Sequence, residues 1–315
     1  MKYLRFILCS TIFFAQFVIA QSPGYPGFWA RTAGKLPTLA YGLGEDRLGG
    51  AKMGYLDTSV LLKVVDTATS MFQVQLSKNR FAYIDKQFIV VDTNALDKPL
   101  TPFPYTSNSI LAKGDSLFDY VSIRLPEKLP YQSWMDINPS KIIIEIFGVA
   151  ANTNWITQLS SLQEVKNVYY HQVDDDILRV TVELNHKQHW GYSLQYSNKG
   201  LELIVRRQPQ DLDLTKMVIA IDAGHGGTNS GADGIRTKVK EKNATLLFAK
   251  ELEKHLRDAG IENVIMTRQN DTSFDNKDRI LWLQSQLPHV LISLHLNSSG
   301  NTQVKGTSTY SKHVG

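Results

Sequence analysis

The chain has 315 residues, of which 43% are hydrophobic and 20% charged, and a formal net charge of +4. That length accommodates two or three domains, and the composition is neither that of a disordered chain nor that of an integral membrane protein. Basic residues are scattered rather than clustered, which excludes an electrostatic footprint for nucleic acid.

The first segment, MKYLRFILCSTIFFAQFVIAQS, places Lys2 and Arg5 before an apolar run from Phe6 to Ala15, with Val18-Ile19-Ala20 ahead of Gln21. It reads as a secretory signal peptide over residues 1–20, cut after Ala20; an uncleaved anchor, the alternative, calls for a longer apolar run. Cleavage removes the single cysteine, Cys9, and lowers the formal charge from +4 to +2 by taking Lys2 and Arg5. The expectation is a thiol-free chain secreted across the inner membrane, periplasmic or cell-wall associated, with no integral membrane segment left after cleavage. Without disulfides its domains must rest on packed cores.

Residues 21–54 are rich in Gly and Pro without a sustained period and read as an irregular lead-in. From Tyr55 to Val91, short segments alternate apolar and polar residues, as at Phe72, Val74 and Leu76 and then Phe81 and Tyr83. This predicts a small β-barrel over 55–91, and the order of strands with the YIDK turn resembles the bacterial Src-homology-3-like domains that accompany cell-wall enzymes. Residues 92–109, polar and Pro-containing, read as a linker.

A second β-rich region is predicted over 110–208, with strands at 120–124, 141–147, 165–172, 177–184 and 201–206 and with Ile142, Ile144 and Ile146 on one face. Asp174, Asp175 and Asp176 fall between two of these strands and read as a hairpin turn, because a calcium loop needs more oxygen ligands. The alternation and the closing KGLELIVRR run resemble the AMIN-type β-domains found upstream of peptidoglycan amidases. His186 and His189 lie beside Trp190 with no third ligand in view and read as surface histidines.

From Lys216 the pattern changes to alternating strand and helix, which predicts an α/β domain over 216–315 with a mostly parallel sheet. Strands are expected at 217–222, 263–268 and 290–296. Ala244, Leu247, Phe248, Leu252 and Leu256 mark a helical apolar stripe ended by Gly260. A second helix is expected over 274–287, capped by Asp271, Thr272 or Ser273.

The candidate chemistry sits at strand ends. The first strand breaks into IDAGHGGTNSGADG, which has neither the G-x-x-x-x-G-K-[ST] nor the G-x-G-x-x-G phosphate pattern, and whose His225 reads either as a metal ligand or as a structural histidine. Along the third strand, Ser293, His295 and Asn297 share a face opposite Ile292, Leu294 and Leu296, and such a polar interruption in a buried parallel strand needs a reason. Glu241, at the start of the first helix, faces the same edge; alone it would be a helix-start acid favoured by the macrodipole. Together His225, Glu241 and His295 form the donor set of a catalytic zinc site with one position left for water.

DAGHGG, the following G-A-x-G, KEKN, MTR and S-L-H-x-N, in this order, resemble the zinc-dependent N-acetylmuramoyl-L-alanine amidases. The resemblance implies zinc on His225, Glu241 and His295, and cleavage of the amide between the lactyl group of muramic acid and the L-alanine of peptidoglycan. Asp222 and Asn297 are candidates for supporting the ligands or fixing the loop, and Arg279 reads as structural. The family also uses a second glutamate, well downstream, as general base. No Asp or Glu follows Asp278 here, only 20 residues follow His295, and GTSTYSKHVG reads like the start of another strand. The expectation is therefore a truncated catalytic domain lacking the catalytic Glu, which binds zinc weakly and turns over little. Two alternatives stand beside it: a non-catalytic protein that binds peptidoglycan or regulates an amidase, and a zinc carboxypeptidase acting on stem peptides.

Overall fold

The computed structural model describes residues 25–44, 50–95, 105–198, 200–299, 301 and 303–310. The signal-peptide reading of residues 1–20, Cys9 included, lies outside the described residues. So do residues 96–104 of the expected linker.

The first seven strands are β1 (Phe28–Thr32), β2 (Thr38–Ala40), β3 (Lys52–Tyr55), β4 (Leu61–Ala68), β5 (Met71–Ser77), β6 (Arg80–Asp85) and β7 (Ile89–Val91). They form one antiparallel sheet in the order β3-β2-β6-β5-β4-β1-β7. The lead-in is thus not irregular: β1, β2 and β3 belong to the same sheet as the strands after Tyr55. Five-, three- and four-residue strands are too short to display alternation, and pairing with distant strands decides them instead.

The next strands are β8 (Tyr105–Ser107), β9 (Ile110–Gly114), β10 (Phe118–Ile123), β11 (Tyr131–Ile137), β12 (Ser140–Phe147) and β13 (Val149–Ala151). They are followed by β14 (Ile156–Gln158), β15 (Val165–Asp174), β16 (Ile177–Leu184), β17 (Tyr192–Ser197) and β18 (Gly200–Arg206). Two larger sheets result, β14-β9-β10-β18-β17 and β11-β12-β16-β15, beside the small pair β13-β8. The segment expected to be a linker contributes β8, which pairs in parallel with β13. Asp174–Asp176 make the β15–β16 turn, with the Asp176 carboxylate accepting from the Lys78 backbone N–H at 2.7 Å. One apolar cluster runs from Ala30 to Val205, so all these sheets share a core. His189 is buried rather than on the surface, its Nε2 2.9 Å from Ser140 Oγ, whereas His186 Nδ1 meets Glu164 Oε2 at 2.7 Å.

The last part contains β19 (Ile219–Ala223), α1 (Glu241–Asp258), β20 (Val264–Met266), α2 (Asn276–Gln286) and β21 (Val290–Leu294). β19 lies between β20 and β21 and pairs in parallel with both. Its core, built on Ile219, Ile221, Ala223 and Ala249, is separate from the upstream one. Two local expectations change. Leu247 and Phe248 are exposed at 58% and 51%, while Thr245 and Ala249 are fully buried. Glu241 begins the helix facing inward, and the residues one and two turns on, Thr245 and Ala249, must follow it. α2 is capped by Asp275, whose side chain accepts from the Asp278 N–H at 2.8 Å, rather than by Asp271, Thr272 or Ser273. Of the segment whose sequence suggested another strand, residues 306–310 carry none among the described residues, and 311–315 lie outside them. No helix among the described residues is long and apolar enough to cross a membrane.

Candidate metal centre

The parallel sheet sends the ends of β19 and β21 out on one edge, and α1 starts from that edge. His225 follows β19 by two residues, His295 follows β21 directly, and Glu241 is the first residue of α1. Their donor atoms converge. His225 Nε2 lies 3.1 Å from Glu241 Oε1, and His295 Nδ1 lies 3.2 Å from both. The structure thus brings the three residues singled out in the sequence to one place.

Two glycines make the convergence possible. A Cβ on Gly224 would stand 2.5 Å from His295 Cε1. On Gly231, whose φ is +67°, it would stand 2.6 Å from Glu241 Oε2 and 2.7 Å from His225 Cδ2. His225 itself has φ +63°, a left-handed conformation that costs a residue with a Cβ about 1–2 kcal/mol. The turn therefore aims the imidazole at the expense of backbone comfort.

Hydrogen bonds fix the direction of His225 and Glu241. Asn229 Oδ1 accepts from the Gly231 N–H at 3.1 Å, so it is also the acceptor facing His225 Nδ1 at 3.0 Å. His225 Nδ1 therefore carries the proton and Nε2 turns its lone pair to the cluster. Glu241 Oε1 accepts from the Leu296 N–H at 2.7 Å and Oε2 from the Ala232 N–H at 2.8 Å. Burial acts to raise the Glu241 pKa, but these N–H groups and the two imidazoles outweigh it and hold the carboxyl below its usual range.

The arrangement fits a zinc ion. Ligand atoms on a tetrahedron of roughly 2.0–2.1 Å bonds are separated by about 3.3 Å, close to the 3.1 and 3.2 Å found. Two imidazole nitrogens and a carboxylate oxygen within this distance of one another form a donor set that could hold a cation. Among the described residues no fourth His, Cys, Asp or Glu joins the group.

Asp222, at the end of β19, supports the site from below. Its Oδ1 accepts from Thr267 Oγ1 at 2.8 Å and pairs with the Arg279 guanidinium, and its Oδ2 accepts from Ser293 Oγ at 2.7 Å. Burial works against the charged form, yet the bonds from Ser293, Thr267 and Arg279 leave the carboxyl below its usual range. Asn297 is exposed and no side-chain bond carries it to the cluster; the backbone of Leu296, one residue earlier, makes the contact instead.

Two buried arginines were not assigned these tasks by their sequence positions. Arg268 donates to the carbonyls of Ala223 at 2.9 Å, Gly224 at 3.1 Å and Lys242 at 2.7 Å, tying the His225 loop to the first turn of α1. Arg279 donates to the carbonyls of His225 at 2.5 Å and Ala223 at 2.9 Å. The MTR motif marked Arg268, but no periodicity reveals which carbonyls it reaches.

An α/β sheet edge bearing a convergent His/Glu/His donor set defines the class of this part of the chain. Residues 219–314 match the model of the N-acetylmuramoyl-L-alanine amidase family, and residues 112–222 match the AMIN domain. A Buchnera aphidicola (subsp. Acyrthosiphon pisum) protein, provisionally named N-acetylmuramoyl-L-alanine amidase, is 42% identical over 95 residues, covering 30% of this chain and 40% of that protein. The N-acetylmuramoyl-L-alanine amidase AmiC of Escherichia coli O6:H1 is 33% identical over 94 residues, covering 30% of this chain and 22% of that protein. The solved catalytic domain of CwlV, an N-acetylmuramoyl-L-alanine amidase from Bacillus (Paenibacillus) polymyxa var. colistinus, is 39% identical over 27% of this chain and 48% of its own, with a TM-score of 0.26. The chain spans less than half the length of each. The similarity to the amidase family is thus confined to the last third of the chain, and that to the AMIN domain to the part before it.

Proposed function

We propose that the protein is a zinc-dependent N-acetylmuramoyl-L-alanine amidase, exported to the periplasm or cell wall, that hydrolyses the amide between N-acetylmuramic acid and L-alanine in peptidoglycan. The observation that carries this is the convergence of His225 Nε2, Glu241 Oε1 and His295 Nδ1 within 3.2 Å of one another, in a segment matching the amidase family. In this reading residues 1–20 are a signal peptide, 55–91 the later strands of a barrel-like unit, 110–208 the AMIN-like domain and 216–315 the amidase part.

Zinc held by the three residues would supply Lewis acidity toward the scissile carbonyl and lower the pKa of water toward about 7. The chain's own part is positional. Asn229 fixes the His225 tautomer, and the Leu296 and Ala232 N–H groups keep Glu241 charged and pointed inward. His295, with 48% of its side chain exposed, lies on the open side of the cluster, from which a substrate would approach. The carboxylate needed to accept a proton and pass it to the leaving amine is not supplied at the cluster by the described residues.

The test is metal content and affinity of the wild-type chain beside His225→Ala and Glu241→Ala. Unchanged zinc content in both variants ends the assignment, as does muramoyl-peptide hydrolysis that survives chelation. The alternative is a peptidoglycan-binding protein without turnover, and a zinc-loaded chain that binds sacculi but leaves muramoyl-peptide uncut would establish it.

A further inference from the structure

The second helix, α2, is anchored in an unusual way. Its one buried residue is Arg279, and none of its side chains joins the apolar core of the α/β part. Arg279 reaches inward to Asp222 and to the carbonyls of Ala223 and His225. On its other side α2 is held by the upstream sheets at both ends.

At the first end Lys277 Nζ donates to the carbonyls of Lys35 at 3.0 Å and Leu36 at 2.8 Å, and stands 3.8 Å from the centre of the Phe88 ring. Lys35 Nζ returns the contact to Asp278 Oδ1 at 2.5 Å. Just past the other end, Arg206 at the close of β18 donates to the carbonyls of Leu287 at 2.7 Å and Pro288 at 2.8 Å. Between these ends a cleft of about 920 Å³, lined by residues including Tyr55, Met135, Trp190, Tyr192 and Leu281, separates the helix from the sheets. A handful of polar contacts, rather than a packed interface, therefore seats α2.

We propose that Lys35, Lys277 and Arg206 are positioning residues for the metal loop: the upstream β-sheets hold α2 at both ends, and α2 passes that hold through Arg279 to the His225 carbonyl. A helix whose apolar side chains are at most half-buried and stay outside the core keeps Arg279 in place largely through its held ends. The His225 carbonyl, on a residue in the left-handed region, has the Arg279 guanidinium as its donor. The order of the ligand loop is thereby tied to the integrity of the β-rich region, and anything that displaces that region from α2 loosens the site. This rests on the metal reading for only one of its two readouts.

The experiment uses the whole chain with Lys277→Ala, Arg206→Ala and the conservative Lys277→Arg. In metal-free protein, hydrogen exchange is followed in peptides covering 223–231 and, as reference, 140–147. Loop exchange should speed up by about threefold to tenfold in the two alanine variants, the range set by loss of a net hydrogen-bond contribution. The reference strand should stay unchanged, and Lys277→Arg should restore the loop. Zinc affinity, read by competition with a chelating dye, should weaken by a similar factor. Wild-type loop exchange in both alanine variants overturns the proposal, and so does equal acceleration in loop and reference strand, which would be general destabilisation. If the wild-type chain takes no zinc, the metal reading fails while loop exchange still decides this one.

Discussion

Gly231→Ala tests the geometry of the cluster most directly. The new methyl group would enter space 2.6 Å from Glu241 Oε2 and 2.7 Å from His225 Cδ2, at a backbone φ of +67°. The left-handed conformation alone costs alanine about 1–2 kcal/mol. Relief of the overlap requires Glu241 or His225 to move by roughly 1 Å to reach ordinary contact, which stretches the 2.8 Å bond from the Ala232 N–H to Glu241 Oε2. Leaving that bond unmade adds about 1–3 kcal/mol. If about 3 kcal/mol of the total falls on the ligand arrangement, zinc affinity drops by roughly a hundredfold. Gly260→Ala is the control: its φ is +86° but nothing stands within 4 Å of the added Cβ. It should show the conformational cost without the loss of affinity. Isothermal titration or dye competition with zinc measures both, with circular dichroism verifying the fold. Zinc affinity of Gly231→Ala within about twofold of wild type would show that the three donors do not converge against this position.

Asp222→Asn should destabilise the α/β part by about 3–5 kcal/mol, the usual cost of removing one partner of a buried charged pair, measured by hydrogen exchange in residues 219–223. The pH dependence follows from the depressed pKa of Asp222. Its contribution is complete above the unfolded value near 3.9 and is lost as pH falls through the lower folded value, so the wild-type stability of this part should drop below about pH 4 more steeply than that of the variant. Parallel acid limbs would refute the assignment. On α1, Ala249→Leu should cost about 1–3 kcal/mol by overpacking, whereas Leu247→Ser should stay within about 0.5 kcal/mol. The reverse order in thermal unfolding would mean that the helix is rotated from the phase described.

The parts of the molecule legible in the sequence are those where one local signal has one reading. β16 lies where its alternation placed it, and β12, β18 and β21 lie within about two residues, because each is long or bounded by turn residues. The three donors were legible because histidines and an acid at strand and helix ends of an α/β pattern converge by topology alone. β1, β2 and β3 were not, since short strands depend on partners far along the chain. The α1 stripe is legible only in part: Leu252 and Leu256 pack on the core, but Leu247 and Phe248, with the same spacing, are exposed because Glu241 turns the first turns of the helix inward on Thr245 and Ala249. His189 looked like a surface residue beside a polar turn, and only the approach of Ser140 encloses it.

The same reasoning explains why two arginines are buried beside a site whose donors are two imidazoles and a carboxylate. A strand that continued past Ala223 would pair its carbonyls with its neighbours, but aiming His225 at the cluster requires the chain to leave the ladder in a left-handed turn. The carbonyls of Ala223, Gly224 and His225 then lie largely away from water, where a carbonyl without a donor is costly. Arg268 and Arg279 provide those donors in fixed forks, each touching two or more of the three. Asp222 in turn offsets the charge of Arg279. The ligand loop, the MTR arginine and the aspartate before the glycine turn are thus one unit, and replacing either arginine by lysine should disorder the loop although the charge is kept.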